Sequence, residues 1–224
     1  MVVTDVPGPA PAGAPPPGRR RVPQQARSRD RVARILEVAA RIVRDQGVES
    51  VSTRSVAGAA GVPVATLYQY FADKEGILLA LLERDVAELD AQVADDLARL
   101  DVLSVRSMVD TTMRAFVDVY RRRPELVTIW FRGRSNPAVG DYCRMHNRRL
   151  ARRLFEVARS AGMVLPDSDG LYAELAVEVA DRIFQLAFES SLEGDVRVIN
   201  EGIALVTAYL ETHTTPEGIA GVAR

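Results

Sequence analysis

The stretch from Ser52 to Ile77 reads STRSVAGAAGVPVATLYQYFADKEGI, and its reading decides the fold. Ser52 is a good N-cap, so a short helix is predicted from Thr53 to Ala60. Gly61 closes it, because glycine accepts the left-handed backbone of a helix C-terminus. Pro63 then stands near the start of a second short helix, about Val64 to Tyr70, where its missing N–H does no harm. Asp73 is the next N-cap. Two short helices joined by a tight glycine-containing turn form a helix-turn-helix. Ala57 and Ala60 are small enough to let the helices cross closely, and Val56, Val62 and Leu67 can fill the seam. The stretch also holds Tyr68, Tyr70 and Phe71, and then Lys74, the single lysine of the chain.

Working outward toward the N-terminus, Val32, Ile35, Leu36, Ala39 and Val43 lie on one helical face, and Gly47 ends that helix. Residues 19–44 carry Arg19, Arg20, Arg21, Arg27, Arg29, Arg31, Arg34, Arg41 and Arg44 against only Asp30 and Glu37. The net charge of the whole chain is −1, so the remainder is acidic and the basic end is expected to meet a polyanion. Pro7 to Gly18 is low-complexity and cannot pack a core; residues 1–26 are read as a disordered Pro-rich and basic arm.

Toward the C-terminus a long amphipathic helix runs from Lys74 to about Leu100, with Leu78, Leu82, Val86, Leu89, Val93 and Leu97 as its stripe. The next helix carries Val105, Val109, Thr112, Phe116 and Tyr120, ends in Arg121–Arg123 and meets Pro124, which opens a short helix through Phe131. GRSNPAVG is a turn, and helices follow at about residues 138–161, 170–191 and 196–212. The expectation is an all-α chain of about nine helices with no convincing strand. Residues 27–75 form the helix-turn-helix domain, 76–213 a helical body, and 214–224 a frayed tail.

The 224 residues, 47% of them hydrophobic, can bury a sizeable core. Cys143 is the only cysteine, so no intramolecular disulfide can form. Cys143 and His146 share a spacing compatible with metal ligation, but the other histidine, His213, is remote, and helix packing explains the pair better. No metal or cofactor is expected. No apolar run has the length of a membrane span and no signal-peptide core precedes the domain, so a soluble, cytoplasmic protein is expected. An enzyme would need a nucleophile–base pair or a ligand cluster, and the sequence offers none. A pure protein adaptor would leave the arginine arm, Arg54 and Lys74 without a role.

The second helix of the motif presents Val64, Ala65, Thr66, Gln69 and Tyr70 outward, toward a major groove. Glutamine can hydrogen-bond adenine, and small apolar groups can touch a thymine methyl. Thr66, Tyr68 and Lys74 offer hydroxyls and an ammonium to phosphates, beside free N–H groups at two helix starts. A lysine at a helix N-terminus opposes the macrodipole, so it needs a phosphate to justify it.

Residues 32–82 resemble the DNA-binding domain of the TetR family of one-component transcriptional regulators. The apolar first helix, STRSVAGAAGV, TLYQYF and DKEGILLALL carry the resemblance. It implies a ligand-responsive repressor that binds a double-stranded operator and releases it when a small-molecule effector enters the body; an activator of the same fold is the alternative. By position it implies that Thr53, Thr66, Tyr68 and Lys74 hold phosphates, and that Arg54, Val64, Ala65 and Tyr70 approach base edges. Pro63 departs from a phosphate-bonding serine found in many members, and Ala65 from a frequent glycine.

The resemblance further implies a homodimer formed by the last two long helices. Leu171, Leu175, Val179, Ile183 and Leu186 line one stripe of the helix at 170–191, with Tyr172, Phe184 and Phe188 elsewhere on it. The last helix has Ile199, Ile203, Val206 and Leu210. Two apolar faces suit a helix buried by its own body and by a partner chain. Candidates for the effector pocket are Phe116, Tyr120, Trp130, Phe131, Tyr142, His146, Phe184 and Phe188, with His146, Asn147, Glu178 or Arg182 as polar groups. Arg148, Arg149, Arg152 and Arg153 are read as a solvated helix face.

Overall fold

A computed structural model of the chain describes residues 24–223. Most of the Pro-rich and basic arm, including Arg19–Arg21, lies outside the described residues. Helix α1 (Gln24–Gln46) already includes Gln24–Ala26, so it begins before the expected boundary at residue 27. A 3-10 turn (Val48–Ser50) leads to Ser52. The Ser52 hydroxyl accepts from the Ser55 N–H while Ser55 Oγ accepts from the Ser52 N–H, a reciprocal cap that starts α2 (Thr53–Ala60). Gly61 adopts φ 64°, and the Val62 N–H reaches back to the Ala57 carbonyl at 3.0 Å, which closes α2. Pro63 opens α3 (Val64–Leu67), its carbonyl accepting from Thr66 and Leu67. The regular helix stops short of Tyr70, because Gln69 and Tyr70 bond the carbonyls of Thr66 and Leu67 in tighter, three-residue steps. Asp73 Oδ1 accepts the Gly76 N–H at 2.8 Å and starts α4 (Lys74–Ala98).

Ile35, Ala39, Val56, Ala57, Leu67, Ile77 and Leu81 are fully buried and knit α1 to α4 into a closed head. The stripe of α4 continues through Leu82, Val86, Leu89, Val93 and Leu97 into the body. There the chain forms β1 (Val102–Leu103), α5 (Val105–Arg122), α6 (Pro124–Val127), a π-helical turn (Thr128–Arg132) and a 3-10 turn (Gly133–Ser135). It continues through α7 (Pro137–Ser160), α8 (Leu171–Ala187), α9 (Val196–Glu211), α10 (Pro216–Ala220) and β2 (Val222–Ala223). The fold is all-α, a helix-turn-helix head on a C-terminal helical bundle, with ten α-helices among the described residues.

The tail corrects two expectations. It is not frayed over residues 216–223, and it supplies a strand: β2 pairs antiparallel with β1, Val102 opposite Ala223 and Leu103 opposite Val222. Close approach holds it. A Cβ at Gly218 would lie 2.5 Å from Thr214 Cγ2 and 2.8 Å from Met163 Cβ, so only glycine allows α10 to seat there. Thr215 secures the same corner, donating its N–H to the Met163 carbonyl and its hydroxyl to the Gly162 carbonyl, both at 3.0 Å.

Head and body meet at a buried charge network. Glu125, at the start of α6, is fully buried and accepts from Arg44 of α1 and Arg84 of α4, each at 3.3 Å. Arg84 Nε also donates to buried Asp85 at 2.7 Å. Burial pushes the Asp85 carboxyl above its ordinary range, against the pull of Arg84. Arg123 joins from the other side by pairing with Glu88 at 2.8 Å.

Candidate functional site

The polar surface of the head is built by α2, α3 and the turn after them. Arg54, Val64, Ala65, Tyr68 and Gln69 are exposed, and Thr53, Thr66, Tyr70 and Lys74 are half-buried. The fold joins two of the expected phosphate residues, Thr53 Oγ1 and Tyr68 Oη, at 3.3 Å across the motif. Arg29 and Arg31 are exposed near the start of α1. The start of α3 has no side-chain cap, which leaves the Val64 and Ala65 N–H groups available while Thr66 and Leu67 bond the Pro63 carbonyl; at α4 Asp73 already takes the Gly76 N–H. Tyr70 is drawn inward, its hydroxyl accepting from Ser28 Oγ at 3.4 Å and its ring packed on the core. Lys74 has a protein partner after all, Glu49 Oε2 at 3.2 Å. Since the Glu49 side chain is 90% exposed, that pair is weak and a phosphate can displace the carboxylate.

The body holds an apolar cavity of ≈ 100 Å³ that opens to the surface. Helix α5 contributes Met108, Val109, Thr112, Met113 and Phe116; α7 contributes Asn147, Leu150, Leu154 and Phe155; α8 contributes Tyr172, Ala176, Val177, Ala180, Asp181 and Phe184. Met163 and Thr214 close the end beneath α10. Of the residues expected to line it, Phe116 and Phe184 are in the wall, their rings stacked at 5.4 Å. Tyr120, Phe131 and Phe188 stand behind them as solid core, Tyr120 meeting Phe131, Phe184 and Phe188 edge-on. Burial holds the Tyr120 phenol well above its usual range.

Trp130 is also outside the wall, yet its Nε1 donates to Asp181 Oδ1 at 2.7 Å, and Arg134 Nη2 donates to Asp181 Oδ2 at 2.6 Å. Asp181 is in the wall, so the indole is one hydrogen bond from the cavity. His146 and Tyr142 point elsewhere: His146 packs edge-on to Trp130 and lies 3.9 Å from Asp90 of α4. Burial pushes the His146 imidazole down to about 4 and the Cys143 thiol up to about 12, so both are neutral at pH 7. Asn147 is in the wall and donates to Glu178 Oε1 at 3.3 Å, whereas Arg182 is exposed and bonds Gln185.

Most of the wall is built of aliphatic and small side chains rather than the aromatics expected there. A usable signal was present in α8, where Ala173, Ala176, Val177 and Ala180 place small side chains at helical spacing on one face. Aromatic rings fill a core; a run of small residues opposite other elements leaves room.

A helix-turn-helix head on a helical body that encloses an apolar cavity defines a one-component, ligand-responsive DNA-binding regulator. The comparisons agree. Residues 35–81 match the model described as bacterial regulatory proteins, tetR family, and residues 103–214 match the tetracyclin repressor-like C-terminal domain. The chain belongs to the TetR family, and it is a DNA-binding regulator rather than an enzyme. It is 27% identical over 190 residues, 82% of this chain and 89% of the relative, to the HTH-type transcriptional regulator BetI of Rhizobium meliloti. It is 41% identical over 64 residues, 29% of each chain, to the HTH-type transcriptional repressor KstR of Mycobacterium tuberculosis. The crystal structure of a TetR-family regulator from Streptomyces coelicolor superposes with a TM-score of 0.67 at 28% identity, covering 82% of this chain and 99% of that one. No helix among the described residues is long and apolar enough to cross a membrane.

Proposed function

We propose that the chain is a cytoplasmic, homodimeric repressor that occupies a two-half-site operator and leaves it when a small molecule fills the cavity. The Thr53–Tyr68 pair carries the reading, because it sets two hydroxyls from both helices of the motif beside the exposed α3 surface. In this reading Thr53, Thr66, Tyr68 and Lys74 hold phosphates, while Arg54, Val64, Ala65 and Gln69 approach base edges. Tyr70, bonded to Ser28, braces α3 against α1.

The second head would come from a partner copy. Leu171, Leu175, Val179 and Leu186 form an exposed apolar stripe on α8, and Val196 and Leu205 are exposed on α9. Ile183 faces its own chain, where a Cβ at Gly202 would lie 2.4 Å from its Cγ2; Ile199 and Val206 are buried. The partner face is therefore the outer stripe, not the whole apolar surface of both helices. Two such heads would occupy successive major grooves ~34–36 Å apart. Ligand and DNA need only prefer different conformers for release.

The test begins with DNA selected from a random pool. Transcription in vitro from a promoter carrying the selected site should fall when the protein is added; a rise would make it an activator. Lys74→Ala should weaken binding to all sequences alike and lower the dependence of log K on log salt by about one unit. An unchanged salt slope in the folded variant would remove Lys74 from the phosphate set.

A further inference from the structure

Resting on the reading of the cavity as the effector site, we propose that the effector is an uncharged, mainly apolar molecule with one hydrogen-bonding oxygen, and that Thr112 is the residue that meets that oxygen.

The charge of the wall excludes ions first. None of the residues lining the cavity is Lys, Arg or His, and the one carboxylate, Asp181, has both oxygens engaged by Trp130 and Arg134. An anion would enter facing a carboxylate with no free cation. A cation would have to compete with Arg134 for Asp181. Either would leave a charge out of water without a partner, which an apolar pocket cannot offset. A neutral ligand meets neither obstacle.

Thr112 then fixes the polar part. It lies in the wall on α5 at 8% exposure, and its Oγ1 has no hydrogen-bond partner among the described residues. Helical threonines often bond the carbonyl one turn back, but this one does not. The other polar side chains of the wall each have a partner: Asn147 Nδ2 donates to Glu178, Thr214 donates to the Leu210 carbonyl, and the Tyr172 hydroxyl bonds Ser168. A buried hydroxyl without a partner is unfavourable, and a ligand oxygen would relieve it. Position suits the task, for Thr112 is one helical turn from Phe116, whose ring stacks on Phe184. An apolar skeleton lying on those two rings has the hydroxyl within a turn of it.

Three ten-carbon probes separate the possibilities in the full-length protein: decan-1-ol, decanoate and decyltrimethylammonium. Calorimetry at pH 7.5 should show decan-1-ol binding at least about ten-fold tighter than either ion. Thr112→Val should weaken decan-1-ol about five- to ten-fold while leaving Tm unchanged or raised, and Thr112→Ser should restore binding. Ala176→Phe, which fills the cavity from α8, should abolish it. Tighter binding of either ion, an unaffected Thr112→Val, an unaffected Ala176→Phe, or no decan-1-ol binding up to its solubility limit would overturn the proposal. Operator release is scored separately. An alcohol that binds through Thr112 yet leaves the operator occupied would overturn the repressor reading and uphold this chemistry. Release that ignores Thr112 would do the reverse.

Discussion

Head and body use the same kind of residue to opposite ends. In α2 the buried Ala57 lets a neighbouring helix come close, and the space is filled by Val56 and Leu67. In α8 Ala176 is equally buried, yet it borders a cavity. In the head, the short helices α2 and α3 are tied by Gly61 and Pro63, so small side chains between them mean close packing. In the body α5, α7 and α8 are long helices that face a shared cavity. Small side chains between them mean room. One region works on its outside and the other on its inside, and that difference governs what each mutation should do.

The largest expected effect tests whether the body alone sets the distance between two heads. Val179→Asp places a carboxylate in the exposed stripe of α8, where the folded monomer tolerates it and a partner face does not. Affinity for a two-half-site operator should drop by about 100-fold or more, roughly 2.7 kcal/mol, with ultracentrifugation showing a folded monomer. A dimer at low micromolar concentration would place the interface elsewhere and leave the head–body division without its mechanical basis.

A smaller effect belongs to the joint between the two regions. Glu125 is buried between Arg44 of the head and Arg84 of the connector. Glu125→Gln keeps the volume and removes the charge. Breaking a buried pair costs about 3–5 kcal/mol, and the partial exposure of both arginines reduces the expectation here to about 2 kcal/mol. Denaturant unfolding measures it. The sharper readout is coupling: operator and effector should each bind near their usual affinity, while the effector loses part of its power to release DNA. Full release by the variant would show that the signal crosses elsewhere.

The same division explains what the sequence disclosed. Ser52, Gly61, Pro63 and Asp73 act within a few residues of themselves, and the structure places a cap, a left-handed turn and two helix starts at those positions. The cavity depends on which faces of α5, α7 and α8 oppose one another, a long-range fact that no local spacing encodes. Trp130 and Tyr120, expected in an apolar pocket, are the packing that surrounds the cavity. The docked tail depends on long-range contacts in the same way. EGIAGVAR looks weak alone, and its order comes from Met163, Thr214 and β1.

The smallest effect sharpens the comparison through pH. The body buries a neutral histidine, His146, with Trp130 packed edge-on and Nε2 lacking a hydrogen bond among the described residues. Burial is the main cause of its depressed pKa; Arg149 and Arg153 of α7 push the same way, and Asp90 of α4 and Asp181 of α8 oppose them. The folded value is about 4 against an ordinary 6.5, so between those limits the unfolded chain binds a proton that the native chain does not. Stability from this site is therefore complete above pH 6.5 and is lost as pH falls toward 4. His146→Phe keeps a ring against Trp130 and removes the titration. The wild type should lose about 1–2 kcal/mol more than the variant between pH 7.5 and pH 5, read as the difference between two unfolding curves at each pH. Ionisations away from the ring are common to both proteins and cancel in that difference. Operator binding by the folded fraction should be the same in both proteins at pH 7.5, since the histidine sits in the body and not on the DNA-facing surface. Parallel stability curves would mean that His146 is solvated in the native state, and that the α4–α7 side of the body is looser than its packing indicates.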